Sequence, residues 1–253
     1  MDENTLNISW YGRCCFLVNH KKISILIDPY DAYCGVDIGS IEADILVSSS
    51  TWHDHGHIGA SPKAHIYSYP GEYEHNGISI TGIEAKEDRG TPTVIFNIKV
   101  GPFSITNYAD FGPLQKNEFD ENLTPKQKVV LESTNIAFIR PSIAGDKIQK
   151  VNKHNEIALD YCNPSIIFPE HYFPTSFINQ HVPDNLRQDF LLPNTVVDEM
   201  IRNFNQYSLK EINDNHVTIN KADLGSKKIY KFLSIHSQVK YKNYVHTGSN
   251  LST

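Results

Sequence analysis

The fold is decided by one stretch, Asp44-Ile-Leu-Val-Ser-Ser-Ser-Thr-Trp-His-Asp-His-Gly-His57. Ile45, Leu46 and Val47 make a short apolar run suited to a buried strand. Small hydroxyl residues follow, and then His53, Asp54, His55 and His57 fall within five positions. This is the layout of a strand that delivers side chains to a site at its C-terminal end. Imidazole and carboxylate together suit Zn, Mn or Fe better than Ca or Mg.

Around that stretch the composition is ordinary. With 40% hydrophobic and 21% charged residues, a chain of 253 residues can bury a substantial core. It reads as one domain over residues 1–253, with 236–253 as a loosely ordered polar tail. No run approaches the roughly 18 apolar residues of a membrane span. The polar, acidic start (Met1-Asp2-Glu3-Asn4) is neither a secretory signal nor a transit peptide, so a cytoplasmic location and no membrane partner are expected. A net charge of −6 gives no general attraction for nucleic acid. The basic run at 227–231 reads as a solvated strand face. Cys14, Cys15, Cys34 and Cys162 show no Cys-x-x-Cys pairing and read as free thiols. Cys14 and Cys15 read as core residues on opposite faces of one strand.

Short runs rich in β-branched and aromatic residues, punctuated by Gly, Pro, Asn and Asp, predict strands over 8–11, 15–18, 23–27, 45–48, 65–69, 78–83, 93–100 and 103–108. Asn76-Gly77 and Gly101-Pro102 are hairpin turns. Thr124-Pro125 caps a helix running to about Leu131. Strands follow at 136–139, 165–168 and 228–233, and helices at 155–162 and 196–204. Strand clusters with helices interleaved only later imply stacked sheets with helices outside.

Three strand ends carry candidate ligands: Trp52 to His57, Asn107 to Gly112, and Pro169-Glu170-His171-Tyr172. No Gly-x-Ser-x-Gly elbow surrounds Ser48 to Thr51, so these hydroxyls read as strand-end caps rather than a nucleophile. His53 and His57 read as exposed loop residues; the alternative is a cluster of His53, His55 and His57. Glu72 and Glu74 read as hairpin surface charges.

These segments resemble the metallo-β-lactamase fold superfamily, and within it a branch of lactonase-like, Zn-dependent hydrolases. Ile8-Ser-Trp-Tyr-Gly-Arg-Cys-Cys-Phe-Leu-Val18 resembles the opening hairpin, and Ile25-Leu-Ile-Asp-Pro29 the second strand and its turn. Pro70-Gly71-Glu72-Tyr73-Glu74 with His75-Asn76-Gly77-Ile78 resembles the branch's Gly-Glu-Tyr-Glu hairpin. Tyr108-Ala-Asp-Phe-Gly112 resembles the Gly-Asp strand end, Arg140-Pro-Ser-Ile-Ala-Gly145 the loop before the last ligand helix, and Ile166-Ile-Phe-Pro-Glu-His-Tyr172 the final His strand. The resemblance covers residues 8–175. It implies an α+β, four-layer αββα sandwich with metals at one edge between the sheets.

The departures matter as much. The family loop reads His-x-His-x-Asp-His, and its two leading histidines fall here on Ser50 and Trp52; a third falls near Glu87. Arg13 and Asn107 also stand where histidines are frequent. The resemblance implies that those three absent histidines form the first metal site. It implies that Asp54, His55 and His171, with a shared Asp110, form the second, and all four are present. Serine is a poor neutral ligand and tryptophan cannot bind a metal through its N–H; the Trp52 indole is expected to fill first-site space.

Two readings follow. One is a hydrolase with one divalent ion (Zn, Mn or Fe) on Asp54, His55, Asp110 and His171, with Asp54 and Asp110 catalytic, acting on a phosphoester, lactone or similar bond of a small molecule. The other is a non-catalytic binding or assembly protein without metal, its Asp–His network a relic. Fold alone does not choose between them.

Overall fold

The computed structural model describes residues 2–87, 90–112, 119–141 and 156–242. In chain order the first strands are β1 (Thr5–Trp10), β2 (Phe16–His20), β3 (Ile23–Ile27), β4 (Val36–Asp37), β5 (Ile45–Val47), β6 (His65–Tyr67), β7 (Gly71–His75) and β8 (Ile78–Lys86). Then come β9 (Pro92–Val100), β10 (Phe103–Asn107), β11 (Ile136–Ile139), β12 (Ile166–Pro169), β13 (Ser208–Ile212), β14 (His216–Asn220), β15 (Lys228–Phe232) and β16 (Lys240–Tyr241). Helices α1 (Pro125–Glu132), α2 (Thr175–His181) and α3 (Arg187–Asn203) join them, and residues 156–161 are helical. No helix among the described residues is long and apolar enough to cross a membrane.

Two sheets carry the fold. One runs β14-β1-β2-β3-β5-β6 and the other β13-β15-β12-β11-β10-β9-β8-β7. β1 and β2 alternate buried and half-buried residues, so one face of each turns inward. There Trp10, Phe16, Phe96, Phe138 and Phe168 fill the space between the sheets. β11 and β12 are buried on both faces, as parallel strands covered by helices are. Leu131 of α1, Ile157 and Met200 of α3 cover that outer face. Phe177 and Ile178 of α2 pack with Leu26 and Leu46 on the outside of the other sheet. The expected αββα sandwich is therefore present. α3 contributes to all three cores, through Phe190, Val197 and Met200.

Local signals explain the confirmed elements. Thr124 and Gln127 form a reciprocal capping box ahead of Pro125. Asn76 and Gly77 take φ of 50° and 81°, the left-handed pair that a tight hairpin between β7 and β8 requires.

Four expectations need correction. The tail reading fails for residues 236–242: His236 stacks on Tyr11 at 4.4 Å, Val239 is buried, and β16 pairs with β4. Residues 243–253 lie outside the described residues, as do 142–145 of the expected loop and Asn155 of the expected helix. The basic run is no solvated face, since β15 lies between β12 and β13. There the Lys227 ammonium donates to the Asn163 and Pro164 carbonyls, and Lys231 pairs with Asp198 at 2.6 Å. α3 starts nine residues before the expected helix and runs through Pro193, whose ring looks like a stop in sequence. β13, β14 and α2 are additional. The first two are short and largely exposed, and Thr175–His181 is too short to show a helical period.

Phe138 sits 4.3 Å from Phe16 and 5.4 Å from Phe168, ring centre to ring centre, bridging the two sheets. Phe138→Ala should lower stability by about 3–5 kcal/mol in equilibrium urea unfolding. A loss below about 1 kcal/mol would show that the inter-sheet layer is not packed around this ring.

Candidate metal centre

The site is built from the C-terminal ends of strands, where the backbone leaves the sheets. Asp28 follows β3 and is fully buried. Its carboxylate accepts from the Ser49 amide (2.7 Å), the Ser49 hydroxyl (2.7 Å), the Asn107 amide group (2.7 Å) and His55 Nδ1 (3.0 Å). Ser48 Oγ donates to the carbonyls of Ser50 and His55, so the serines act as the expected strand-end caps. The carboxylate on Nδ1 fixes the ring and leaves Nε2 facing the other sheet's loops.

At that point the three predicted strand ends meet. One ligand atom each from Asp54, His55, Asp110 and His171 lies within 4.8 Å of all the others. Asp110 Oδ2 is 3.2 Å from His55 Nε2 and Asp110 Oδ1 is 3.3 Å from His171 Nε2. Neither approach has the direction of a hydrogen bond. Both ring nitrogens of His171 and Nε2 of His55 are buried without a hydrogen-bond partner.

Two guanidiniums flank this cluster. Arg13, in the β1–β2 turn, pairs with Asp54 Oδ2 at 3.1 Å, and Arg140, at the end of β11, pairs with Asp110. Burial alone would raise the Asp110 pKa; His55, Arg140 and His171 reverse this and hold it well below the usual carboxylate range. Burial likewise depresses imidazolium at His55, but the Cys14 sulfur, Asp110 and Asp28 oppose it and leave that ring well above its ordinary range. His171 goes the other way: burial, with Arg140, His55 and Arg13 nearby, keeps it neutral despite Asp110. The buried Glu170 carboxyl, with no hydrogen-bond partner on either oxygen, is pushed well above its usual range by burial and then by Asp28. Three carboxylates (Asp28, Asp54, Asp110) thus face three cations (Arg13, Arg140, His55).

The first-site positions behave differently from expectation. The Trp52 indole is 54% exposed, so it does not fill site space. The tight turn in which the Trp52 carbonyl accepts from the His55 and Gly56 amides leaves the ring outside. Glu87, after β8, does face the cluster: burial, then Asp110, push its pKa up to about 7 against Arg140 and His55. Its Oε1 is buried and unpartnered. A cleft of about 1020 Å³ is lined by Glu87, Phe111 and Gly112 together with Glu72, Thr124 and Gln127.

His53 is exposed, bonded to Asp31 at 2.6 Å and stacked on Tyr33, and no cluster of His53, His55 and His57 forms among the described residues. Cys14 lies in a turn rather than a strand, and its buried sulfur faces the site. All four cysteines are free thiols. Asp28, Arg140 and Glu170 received no role from sequence, although each is a charge placed directly after an apolar run. Backbone strain marks the same place. Of six non-glycine residues with positive φ among the described residues, Arg13 (49°), Asp28 (43°), Ala109 (49°) and His171 (61°) surround the cluster. Such conformations cost about 1–3 kcal/mol each and persist where the surroundings dictate them.

Asp28→Ala would strand four buried donors, and should cost about 3–5 kcal/mol in urea unfolding; a near-neutral variant would remove Asp28 as the organising group. Glu87 titrates separately. Because its folded pKa of about 7 exceeds its ordinary 4.5, ionisation opposes folding, and the metal-free protein should lose stability as pH rises through that window. Glu87→Gln should gain on the wild type between those pH values and run parallel above them. Parallel stability curves throughout would show that Glu87 is solvated.

Residues 7–171 match the family model for the beta-lactamase superfamily domain. No curated protein matches the chain by sequence. Among solved structures, a candidate Zn-dependent hydrolase of the metallo-beta-lactamase superfamily from Thermotoga maritima gives a TM-score of 0.60 at 20% identity, covering 90% of this chain and 98% of that one. A candidate metal-dependent hydrolase from Parabacteroides distasonis gives 0.48 at 16% identity over 74% and 88% of the two chains. CmlA, a diiron β-hydroxylase from Streptomyces venezuelae, gives 0.50 at 11% identity over 92% of this chain and 54% of that one. Likeness at these identities speaks to the fold and not the reaction. From the family match over 7–171 and the αββα sandwich, the chain belongs to the beta-lactamase superfamily as a divergent, hydrolase-like member with the metallo-β-lactamase fold.

Proposed function

We propose that the protein is a mononuclear metal-dependent hydrolase whose ion is held by Asp54, His55, Asp110 and His171. One observation carries this: these four side chains converge from three strand ends while Nε2 of both His55 and His171 is buried there without a hydrogen-bond partner. Buried nitrogens without a hydrogen bond are costly, and a cation can answer one nitrogen of each ring, the Nε2 atoms that lie beside Asp110. The donor set also fits a borderline ion such as Zn, Mn or Fe. When bound, such an ion supplies Lewis acidity and a more acidic water.

The chain's own groups would do the rest. Asp110, held anionic beside Arg140, is a weak base suited to orienting a water rather than taking its proton. Glu87 is better matched to proton transfer near neutrality. Arg13 and Arg140 favour substrates that carry or develop negative charge, which suits phosphoester, lactone or related bonds in a small molecule entering by the Glu87 cleft. A cytoplasmic location belongs to the same reading.

A second reading has its own support. The ion pairs Arg13–Asp54 and Arg140–Asp110 already balance the cluster's charge, as they would in a metal-free binding or assembly protein. Metal content separates the two. After loading with Zn, Mn or Fe, the wild type should retain about one equivalent, and Asp54→Ala and His171→Ala much less. Below roughly a tenth of an equivalent in the wild type under every loading, the hydrolase reading fails and the second stands.

A further inference from the structure

Cys14 is a buried thiol that the proposed ligand set does not use. It sits between Arg13 and Cys15 in the turn joining β1 to β2, and the Arg13 amide donates to the Tyr172 carbonyl at 3.0 Å, so this turn is tied to the residue after His171. Its sulfur lies within 4.8 Å of a ring nitrogen of both His55 and His171. The thiol lies against the Asp54 carbonyl and approaches the Asp28 carbonyl at 3.5 Å, reaching the loops that carry the other candidate ligands. The two histidines it faces hold the unpartnered nitrogens, His55 being fully buried and His171 10% exposed at its side chain.

We infer that the Cys14 sulfur is a ligand of the metal centre, so that the ion is bound by a Cys14–His55–His171 set with Asp54 or Asp110 completing it. The inference rests on the mononuclear-metal reading above. Geometry is its basis, and charge agrees. Binding breaks the S–H bond and forms a metal–sulfur bond, the proton leaving to solvent; a coordinating thiol is deprotonated outright. A Cys14 thiolate would also offset the positive charge that a divalent ion brings beside the Arg13 and Arg140 guanidiniums. A thiolate with two imidazoles also narrows the metal, since soft sulfur selects Zn or Fe over Mn.

Cobalt(II) tests this without an activity assay. Titrated into the reduced, metal-free full chain, it should bind at one equivalent with a thiolate-to-cobalt charge-transfer band in the near ultraviolet. In Cys14→Ser and Cys14→Ala, both checked for native circular dichroism, that band should vanish while the other three thiols remain. Affinity should fall by more than about tenfold, because a direct ligand should cost no less than an outer-shell partner. X-ray absorption on the zinc-loaded wild type should show a sulfur scatterer at about 2.3 Å, a readout that needs no variant. Metal bound without the band or the sulfur scatterer, or a band that survives in Cys14→Ala, overturns the Cys14 assignment and leaves the mononuclear reading intact. Failure to bind cobalt or zinc at all overturns both.

Discussion

The site depends on a buried carboxylate. Asp28 has no solvent exposure, and removing such a charge from water costs several kcal/mol unless donors replace the water. Four donors do so, and they come from places that only the folded chain brings together. Ser49 and His55 follow β5 in one sheet, while Asn107 ends β10 in the other. The same carboxylate therefore joins the two sheets at one edge and aims His55. The inter-sheet aromatic layer brings the strand ends close, and Asp28 turns that closeness into a fixed direction for one imidazole. The positive φ at Asp28 and His171 is tolerated because both positions are held from several sides.

Around this anchor the charges are arranged in opposition. Arg13 comes from the β1–β2 turn and Arg140 from β11, so each sheet contributes one guanidinium to the carboxylate displayed beside it. Guanidinium stays charged even when buried, which makes it a dependable counter-ion for Asp54 and Asp110. The cost is that any further cation must displace charge, and the His55 proton is the first candidate. Metal uptake at such a centre is coupled to proton release more strongly than at one lined by neutral histidines.

Much of the architecture was legible in the sequence because it rests on local chemistry. Alternation in β1 and β2, all-apolar β11 and β12, the Thr124 capping box and the Asn76-Gly77 turn are each written in a few adjacent residues. So was the convergence of Asp54, His55, Asp110 and His171, through strand ends and a family resemblance. What escaped reading depends on long-range topology. Asp28, Arg140 and Glu170 stand 30 or more positions apart and acquire meaning only when β3, β11 and β12 end at the same edge. Cys14 read as core because burial was inferable, while the turn aiming its sulfur was not. Trp52 misled because an aromatic at a ligand position suggests filling, whereas the backbone turn decides where the ring goes.

Environment also separates the carboxyl groups that share this space. Asp110 touches Arg140 and lies beside two imidazoles, so its proton is lost far below neutrality. Glu170 lies deeper without a donor, and burial pushes it well above its usual range. Glu87 stands between them, half-buried, close enough to Asp110 to be destabilised as an anion and close enough to Arg140 not to be wholly neutral. Groups driven apart in this way mark acid–base roles better than residue type does. Position agrees, because of the three only Glu87 also faces the cleft. Glu87 thus places a group that titrates near neutrality between the cleft and the cluster.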